Sequence, residues 1–209
     1  MTKRFDDTTT KPIDLTVEFR FANGSSAEFH EADEECVRDA LRLLATPQLF
    51  AQPHVLLASR QRASMIPCKG LDMVVARTSA PLPLKFPLNH PAGQFDFLEQ
   101  PLVWPDDKSA VAEDSSGQPR RHDSQVEIRT LGGWTVALEA VAMFRGSVQD
   151  ERQFFTHWPS LPSIPFRLEQ GGFGLINTAN IVCVSASPRP KAFPDVFLPL
   201  TRADGIWRS

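Results

Sequence analysis

The segment VEFR at Val17–Arg20, followed by Asn23-Gly24, has a close match at Val126–Arg129 (VEIR), followed by Gly132-Gly133. In both places apolar residues alternate with charged ones, which predicts a strand with one buried face. Asn-Gly and Gly-Gly both tolerate positive φ, so each strand is expected to lead into a tight β-hairpin. The sequence therefore predicts the same hairpin twice.

Further matches follow in the same order along the chain. Ile66, Leu71, Val74 and Ala76 correspond to Ile176, Ile181, Val184 and Ala186, and Phe86–Leu88, Gly93 and Phe95 correspond to Leu198–Leu200, Gly205 and Trp207. Collinear matches at a nearly constant separation are typical of an internal repeat, so two diverged copies of one unit are predicted. The alternative is a chance similarity between two alternating patterns, which recur easily in sheets.

Each unit is predicted to contain two strands, one helix and two further strands. In the first unit the helix is expected to begin after Asp33, whose side chain can cap the first turn, and to end before Pro47. The corresponding helix of the second unit is predicted from about Ser147 to His157. The resulting fold class is α+β: two diverged tandem copies of a β-β-α-β-β unit, packed with pseudo-two-fold symmetry and with mostly antiparallel sheets.

The last two strands of each unit are predicted from apolar runs. They are Val55–Arg60 and Leu71–Arg77 in the first unit, and Phe166–Glu169 and Ile181–Ser185 in the second. Turns are predicted between them, at Gln61–Ser64 and at Gly171–Gly174. The predicted organisation of the chain is a flexible tail (1–12), the first unit (13–98, ending in a proline-rich extended segment), a Pro/Ser/Asp-rich linker (99–123) and the second unit (124–209).

Composition and charge limit the classes of function. The net charge of −3 and the pI near 6.0 argue against a general nucleic-acid-binding surface. No run approaches the roughly 18 apolar residues of a membrane helix. The N-terminus shows no export segment, and the three separated cysteines (Cys36, Cys68 and Cys183) fit reduced thiols, so a cytoplasmic protein without membrane association is expected.

No motif in the chain indicates a particular chemistry. A phosphate-binding loop, a Gly-x-Ser-x-Gly elbow and a His-Glu-x-x-His helix are all missing from the sequence. We therefore predict no catalytic residue, no metal site and no cofactor, and we regard the chain as more consistent with a non-enzyme.

Two groups of residues are the candidate ligand- or partner-binding residues. The first is a local basic group that could contact an anion or an RNA backbone, although a solvated rim is the more common role of such a group; it consists of Arg60, Arg62, Lys69 and Arg77. The second is the set of tryptophans, which could form an aromatic surface or simply fill a core; it consists of Trp104, Trp134, Trp158 and Trp207.

These observations predict a non-catalytic partner- or ligand-binding or assembly protein. Its partner would be another protein or a small ligand at the junction between the repeats, where a groove is expected. Two alternatives remain open at this point: an enzyme with a dispersed site at that junction, and an RNA-binding protein of small-barrel type. The chain itself is expected to be a monomer or a homodimer.

Overall fold

The computed structural model describes residues 13–58, 63–80, 94–100, 102, 120–144 and 160–187. These residues form one α-helix, α1 (Glu34–Leu44), and short 3-10 helices at Leu49–Ala51, Cys68–Gly70 and Thr178–Asn180. The strands are β1 (Leu15–Phe21), β2 (Ser26–Glu31), β3 (His54–Ala58), β4 (Ala63–Pro67), β5 (Leu71–Thr78), β6 (Gln94–Phe97), β7 (Arg120–Thr130), β8 (Thr135–Phe144), β9 (Ser163–Arg167), β10 (Gly172–Asn177) and β11 (Ile181–Ser187).

Nine of these strands form one sheet in the order β11-β7-β8-β6-β9-β10-β5-β1-β2, and β3 and β4 form a separate hairpin. Every pairing in the described part of the chain is antiparallel except that of β6 with β9. The predicted α+β class with mostly antiparallel sheets is confirmed.

Helix α1 begins and ends where the sequence predicts. The amides of Glu35 and Cys36 donate to Asp33 Oδ1 at 3.1 and 3.0 Å. The backbone hydrogen bond from Cys36 is the main reason that the pKa of Asp33 lies below its usual value. Val37 and Leu44 lie on the same apolar stripe of the helix and are both buried, so the helix packs this face onto the sheet.

Strands β5 and β10 lie side by side inside the nine-stranded sheet, and all of their residues except one in β5 are buried, so both faces of these strands are covered. On one face is the first core, formed by β1, α1, β3, β4 and alternate residues of β5, together with Phe173 and Leu175 of β10. On the other is the second core, formed by β7, β8 and β9 together with Met73 and Val75 of β5. Each core therefore includes side chains from the other half of the chain.

Three strands were not predicted. The segments expected to be turns at Gln61–Ser64 and Gly171–Gly174 contribute residues to β4 and β10, because small residues in these strands (Ser64, Gly172 and Gly174) hide the alternating pattern. The first unit was expected to end in a proline-rich extended segment without a strand, yet Gln94–Phe97 near its end form β6 between β8 and β9. This segment of Gln94–Phe97 contains no proline and can form ladder hydrogen bonds.

Candidate binding site at the hairpin junction

The β1–β2 and β7–β8 hairpin turns meet at the junction between the two halves of the chain. Gly24 and Gly133 have φ of +81° and +78°, whereas Asn23 and Gly132, the first residue of each pair, do not have positive φ. The amides of Gly24 and Gly133 donate to Phe21 O and Thr130 O, both at 3.0 Å. A side chain at Gly24 would begin 3.3 Å from the carbonyl oxygen of Gly132, so the two turns are in direct contact.

Trp134 is the one predicted tryptophan that the structure places at this junction. Its indole Nε1 donates to Phe21 O at 3.0 Å, across from one hairpin to the other. The guanidinium of Arg20 lies 4.9 Å from the centre of the indole ring, within cation–π distance. Trp134 therefore fixes the two turns to each other with both the polar and the aromatic part of its side chain.

Asp72 is a junction residue that the sequence reasoning missed. It lies at an irregularity in the β1–β5 ladder, where Arg20 faces Met73 and Phe21 faces Leu71, so Asp72 has no residue opposite it on β1. Its side chain is fully buried, and Oδ2 accepts a hydrogen bond from the amide of Gly132 at 2.6 Å. Oδ1 has no hydrogen-bond partner among the described residues. A lone aspartate inside the apolar run LDMVVA was the signal for it.

Two buried asparagines add a second polar contact across the junction. The side-chain amides of Asn177 and Asn180 donate to the same acceptor, Leu71 O, at 2.8 and 3.0 Å. The carbonyl of Asn180 in turn accepts from the amide of Leu131 at 2.9 Å. Because these groups are buried, their hydrogen bonds offset a desolvation cost and fix the orientation of one half on the other.

Because the two turns are in contact, a methyl group added at Gly132 is expected to destabilise the protein strongly. Alanine at Gly132 would place Cβ 2.3 Å from Phe21 O, 2.8 Å from Asp72 Oδ2 and 2.9 Å from Trp134 Nε1. We expect Gly132→Ala to lower the free energy of unfolding by about 2–4 kcal/mol, because backbone and junction side chains must separate. Urea denaturation followed by tryptophan fluorescence measures this.

Gly70 provides the matched control for Gly132. A Cβ added there meets nothing within 4 Å, and its backbone conformation is one that any residue adopts. Gly70→Ala is expected to change stability by no more than about 0.5 kcal/mol. Equal effects of the two substitutions would show that the turns do not pack as described.

The predicted basic group is only partly placed by the structure. Arg60 and Arg62 lie outside the described residues. Lys69 is exposed in the 3-10 helix that follows β4. Arg77 donates to Glu18 Oε2 at 3.1 Å, so its charge faces a carboxylate.

Glu18 holds two arginines at once. Arg20 donates to both of its carboxylate oxygens, at 2.8 and 3.1 Å. Burial raises the pKa of Glu18, but the hydrogen bonds and charges of Arg20 and Arg77 more than offset this, and the pKa lies below its usual value. Glu18 therefore stays ionised and positions Arg20 over the junction tryptophan.

Trp104, Trp158 and Trp207 lie outside the described residues. Within the described ranges, no three His, Cys, Asp or Glu side chains are grouped so that they could hold a metal ion. Cys68 is buried, and burial raises the pKa of its thiol.

No helix in the described part of the chain is long and apolar enough to cross a membrane.

Comparison with known proteins gives no relative for this chain. No protein-family model, no curated protein sequence and no solved structure matches it.

Proposed function

We propose that the chain consists of two diverged copies of one unit. The β3–β4 and β9–β10 ladders support this, because they have the same register at the repeat separation. Val55 pairs with Ile66 and Leu57 with Ser64, while Ile164 pairs with Ile176 and Phe166 with Gly174.

The first and last strands of the two halves support the same proposal. The β1–β5 ladder is interrupted between Arg20 and Phe21, opposite Asp72, and the β7–β11 ladder is interrupted opposite Val182 in the corresponding place. The amide of Ala22 donates to Gly70 O and that of Leu131 to Asn180 O, both at 2.9 Å. A chance similarity between two strand patterns would not extend to matching irregularities.

We propose further that the protein is a non-catalytic assembly protein that binds other protein chains at the edges of its sheets. The observation that carries this proposal is the state of two edges. Among the described residues β4 pairs only with β3, and β11 pairs only with β7. An open edge has unpaired backbone amides and carbonyls, and it is a ready site for an added strand.

The side chains at these two edges favour a protein partner. Met65 on β4 and Val182 and Val184 on β11 are among the most exposed large apolar residues of the described chain. At the hairpin junction, by contrast, the main polar groups bond to each other across the two halves. Exposed apolar side chains on an open edge indicate that the partner is a chain that pairs and buries them.

Native mass spectrometry of the full chain tests this function. We expect species heavier than the 23.3 kDa chain by whole protein masses. Because Met65 lies on the edge and outside the hydrophobic core, Met65→Lys is expected to remove those species without loss of folded protein. A stoichiometric small-molecule adduct that does not depend on Met65 would contradict the proposal and favour a ligand-binding protein or an enzyme.

A further inference from the structure

We propose that the partner is a second copy of this chain, added head to tail by pairing β4 of one copy with β11 of the next. This inference rests on the proposed function and on the proposed correspondence between the two halves. It names the partner, the strands and the register.

The contact between β5 and β10 inside one chain is the pattern for the contact between chains. These strands come from different halves and pair antiparallel, with Phe173 opposite Ala76 and Leu175 opposite Val74. Phe173 and Leu175 are buried in the first core, that is, in the core of the other half. The pairing thus closes one half with a strand from its neighbour.

The same kind of contact can form between two copies, through the unpaired edge of β4 in one and the unpaired edge of β11 in the other. In the proposed correspondence β4 is the counterpart of β10, and β11 is the counterpart of β5. These two strands have no such partner among the described residues of one chain. Transferring the internal register gives the intermolecular pairs, which are Ala63 with Ala186, Ser64 with Ser185, Met65 with Val184 and Ile66 with Cys183.

Burial at the two places supports the transfer. In the internal contact Leu175 is 1% exposed and Val74 is 0% exposed. Their counterparts Met65 and Val184 are 63% and 41% exposed. Val184 pairs with Ile128, a buried residue of the second core, so a Met65 side chain paired with Val184 would enter beside this core.

Charge distinguishes β4 and β11 from β2, the edge strand at the other end of the nine-stranded sheet. Neither β4 (ASMIP) nor β11 (IVCVSAS) contains a charged residue. Strand β2, the other end of the nine-stranded sheet, contains Glu28, His30 and Glu31. Charged residues on an edge are a common protection against unwanted pairing, so β2 is protected whereas β4 and β11 are suited to pairing. The fourth edge strand, β3, contains no Asp, Glu, Lys or Arg and is set apart by its counterpart in the other half, which is β9 and not a strand of the β5–β10 contact.

The two edges are different surfaces, and this determines the kind of assembly. Each copy offers one β4 and one β11, so every contact joins unlike surfaces. Contacts of this type produce a ring if the rotation between copies closes, or a filament if it does not. A symmetric dimer through two identical edges is a different arrangement, and the two can be separated by experiment.

Sedimentation velocity of the full chain, up to about 100 μM so that micromolar interfaces are populated, tests the proposal. We expect wild-type protein to form species of two or more copies. Met65→Lys and Val184→Lys each place an ammonium group in the apolar contact, and each is expected to weaken self-association about 100-fold or more. Leu43→Lys is the matched control, because Leu43 (44% exposed) is about as exposed as Val184 but lies on helix α1 and belongs to neither edge strand; it is expected to leave association unchanged.

Mixing the two lysine variants decides between the two arrangements. The Met65→Lys protein retains an intact β11 and the Val184→Lys protein an intact β4. An equimolar mixture should therefore form a dimer of one copy of each, and nothing larger. A mixture that stays monomeric, or a single variant that still forms dimers by itself, would overturn the head-to-tail contact.

A different result separates this inference from the function on which it rests. If the wild-type chain is monomeric at every concentration, a second copy is not the partner. The function then stands if native mass spectrometry still finds another protein bound in a manner that depends on Met65. It fails together with the inference if no protein is bound.

Discussion

Replacing Gly172 with alanine is expected to destabilise the protein by about 4 kcal/mol or more, the largest effect of any single methyl group at the described glycines. An alanine Cβ at this position would lie 2.0 Å from Ala76 O and 3.0 Å from the Ala76 carbonyl carbon. Both are backbone atoms of β5, the strand that β10 pairs with, and neither can rotate away. The residue also has φ of +105°, which costs any residue with a side chain additional strain.

The variant is informative because of where it acts. Gly172 faces Arg77 at the end of the β5–β10 ladder, one of the contacts that join the two halves. Circular dichroism and urea denaturation should show a midpoint far below that of wild type, or a largely unfolded chain, since domains of this size are stable by only about 5–15 kcal/mol.

Gly133→Ala separates the cost of the steric clash from the cost of the backbone conformation. Gly133 has φ of +78°, but a Cβ there meets nothing within 4 Å. This substitution should lower the free energy of unfolding by about 1 kcal/mol, which is the cost of the backbone conformation alone. If Gly172→Ala costs no more than Gly133→Ala, β10 does not lie as close to β5 as the structure shows.

The elements with strong local signals could be predicted from the sequence. Helix α1 has a capping aspartate, an apolar stripe and a proline after its end, so local physics alone defines it. The hairpins at Asn23-Gly24 and Gly132-Gly133 lie where the sequence predicts them, with positive φ at the glycine in the second position of each pair. These features depend on residues that are close in the chain, which is why a single sequence contains them.

The elements that depend on distant contacts could not be predicted. Strand β10 contains Gly172 and Gly174, which are poor strand formers, and it exists because β5 and β9 lie on either side of it. Strand β6 is short and is completed by β8 and β9, with Asp96 bound to Arg167 at 2.7 and 3.0 Å.

The candidate site shows the same division. Trp134 stands out in the sequence because tryptophan is rare, but its hydrogen-bond acceptor, Phe21 O, is a backbone atom that no pattern indicates. Its predicted part in binding stays a prediction. Asp72 was overlooked because it interrupts an apolar strand at a single position. Its role depends on Gly132, which lies sixty residues further along the chain.

The second large effect concerns Gly174 and the ring of Phe166. These residues face each other across β9 and β10, and a Cβ at Gly174 would lie 2.0 Å from Cζ of the ring. Phe166 is buried in the second core and stacks on Phe97 with ring centres 5.7 Å apart, so the ring has little room to move. Gly174→Ser is expected to cost about 3 kcal/mol.

A second substitution should relieve most of this cost. The corresponding pair in the β3–β4 ladder is Ser64 opposite Leu57. Serine thus stands in the place of Gly174, and leucine, which is smaller than phenylalanine, in the place of Phe166. Phe166→Leu alone should cost about 1–2 kcal/mol through lost packing. Together with Gly174→Ser it recreates the Ser–Leu pair, so the double variant should be more stable than the sum of the single effects by about 1–3 kcal/mol.

Phe97→Leu is the control for this double-mutant cycle. Phe97 stacks on Phe166, but the three atoms nearest to a Cβ at Gly174 all belong to Phe166 and none to Phe97. Its combination with Gly174→Ser should therefore be close to additive, within about 0.5 kcal/mol. Urea denaturation of the three single and two double variants measures both couplings. A coupling at Phe166 no larger than that at Phe97 would mean that the ring does not occupy the space above Gly174, and that the two ladders differ in more than the size of these paired side chains.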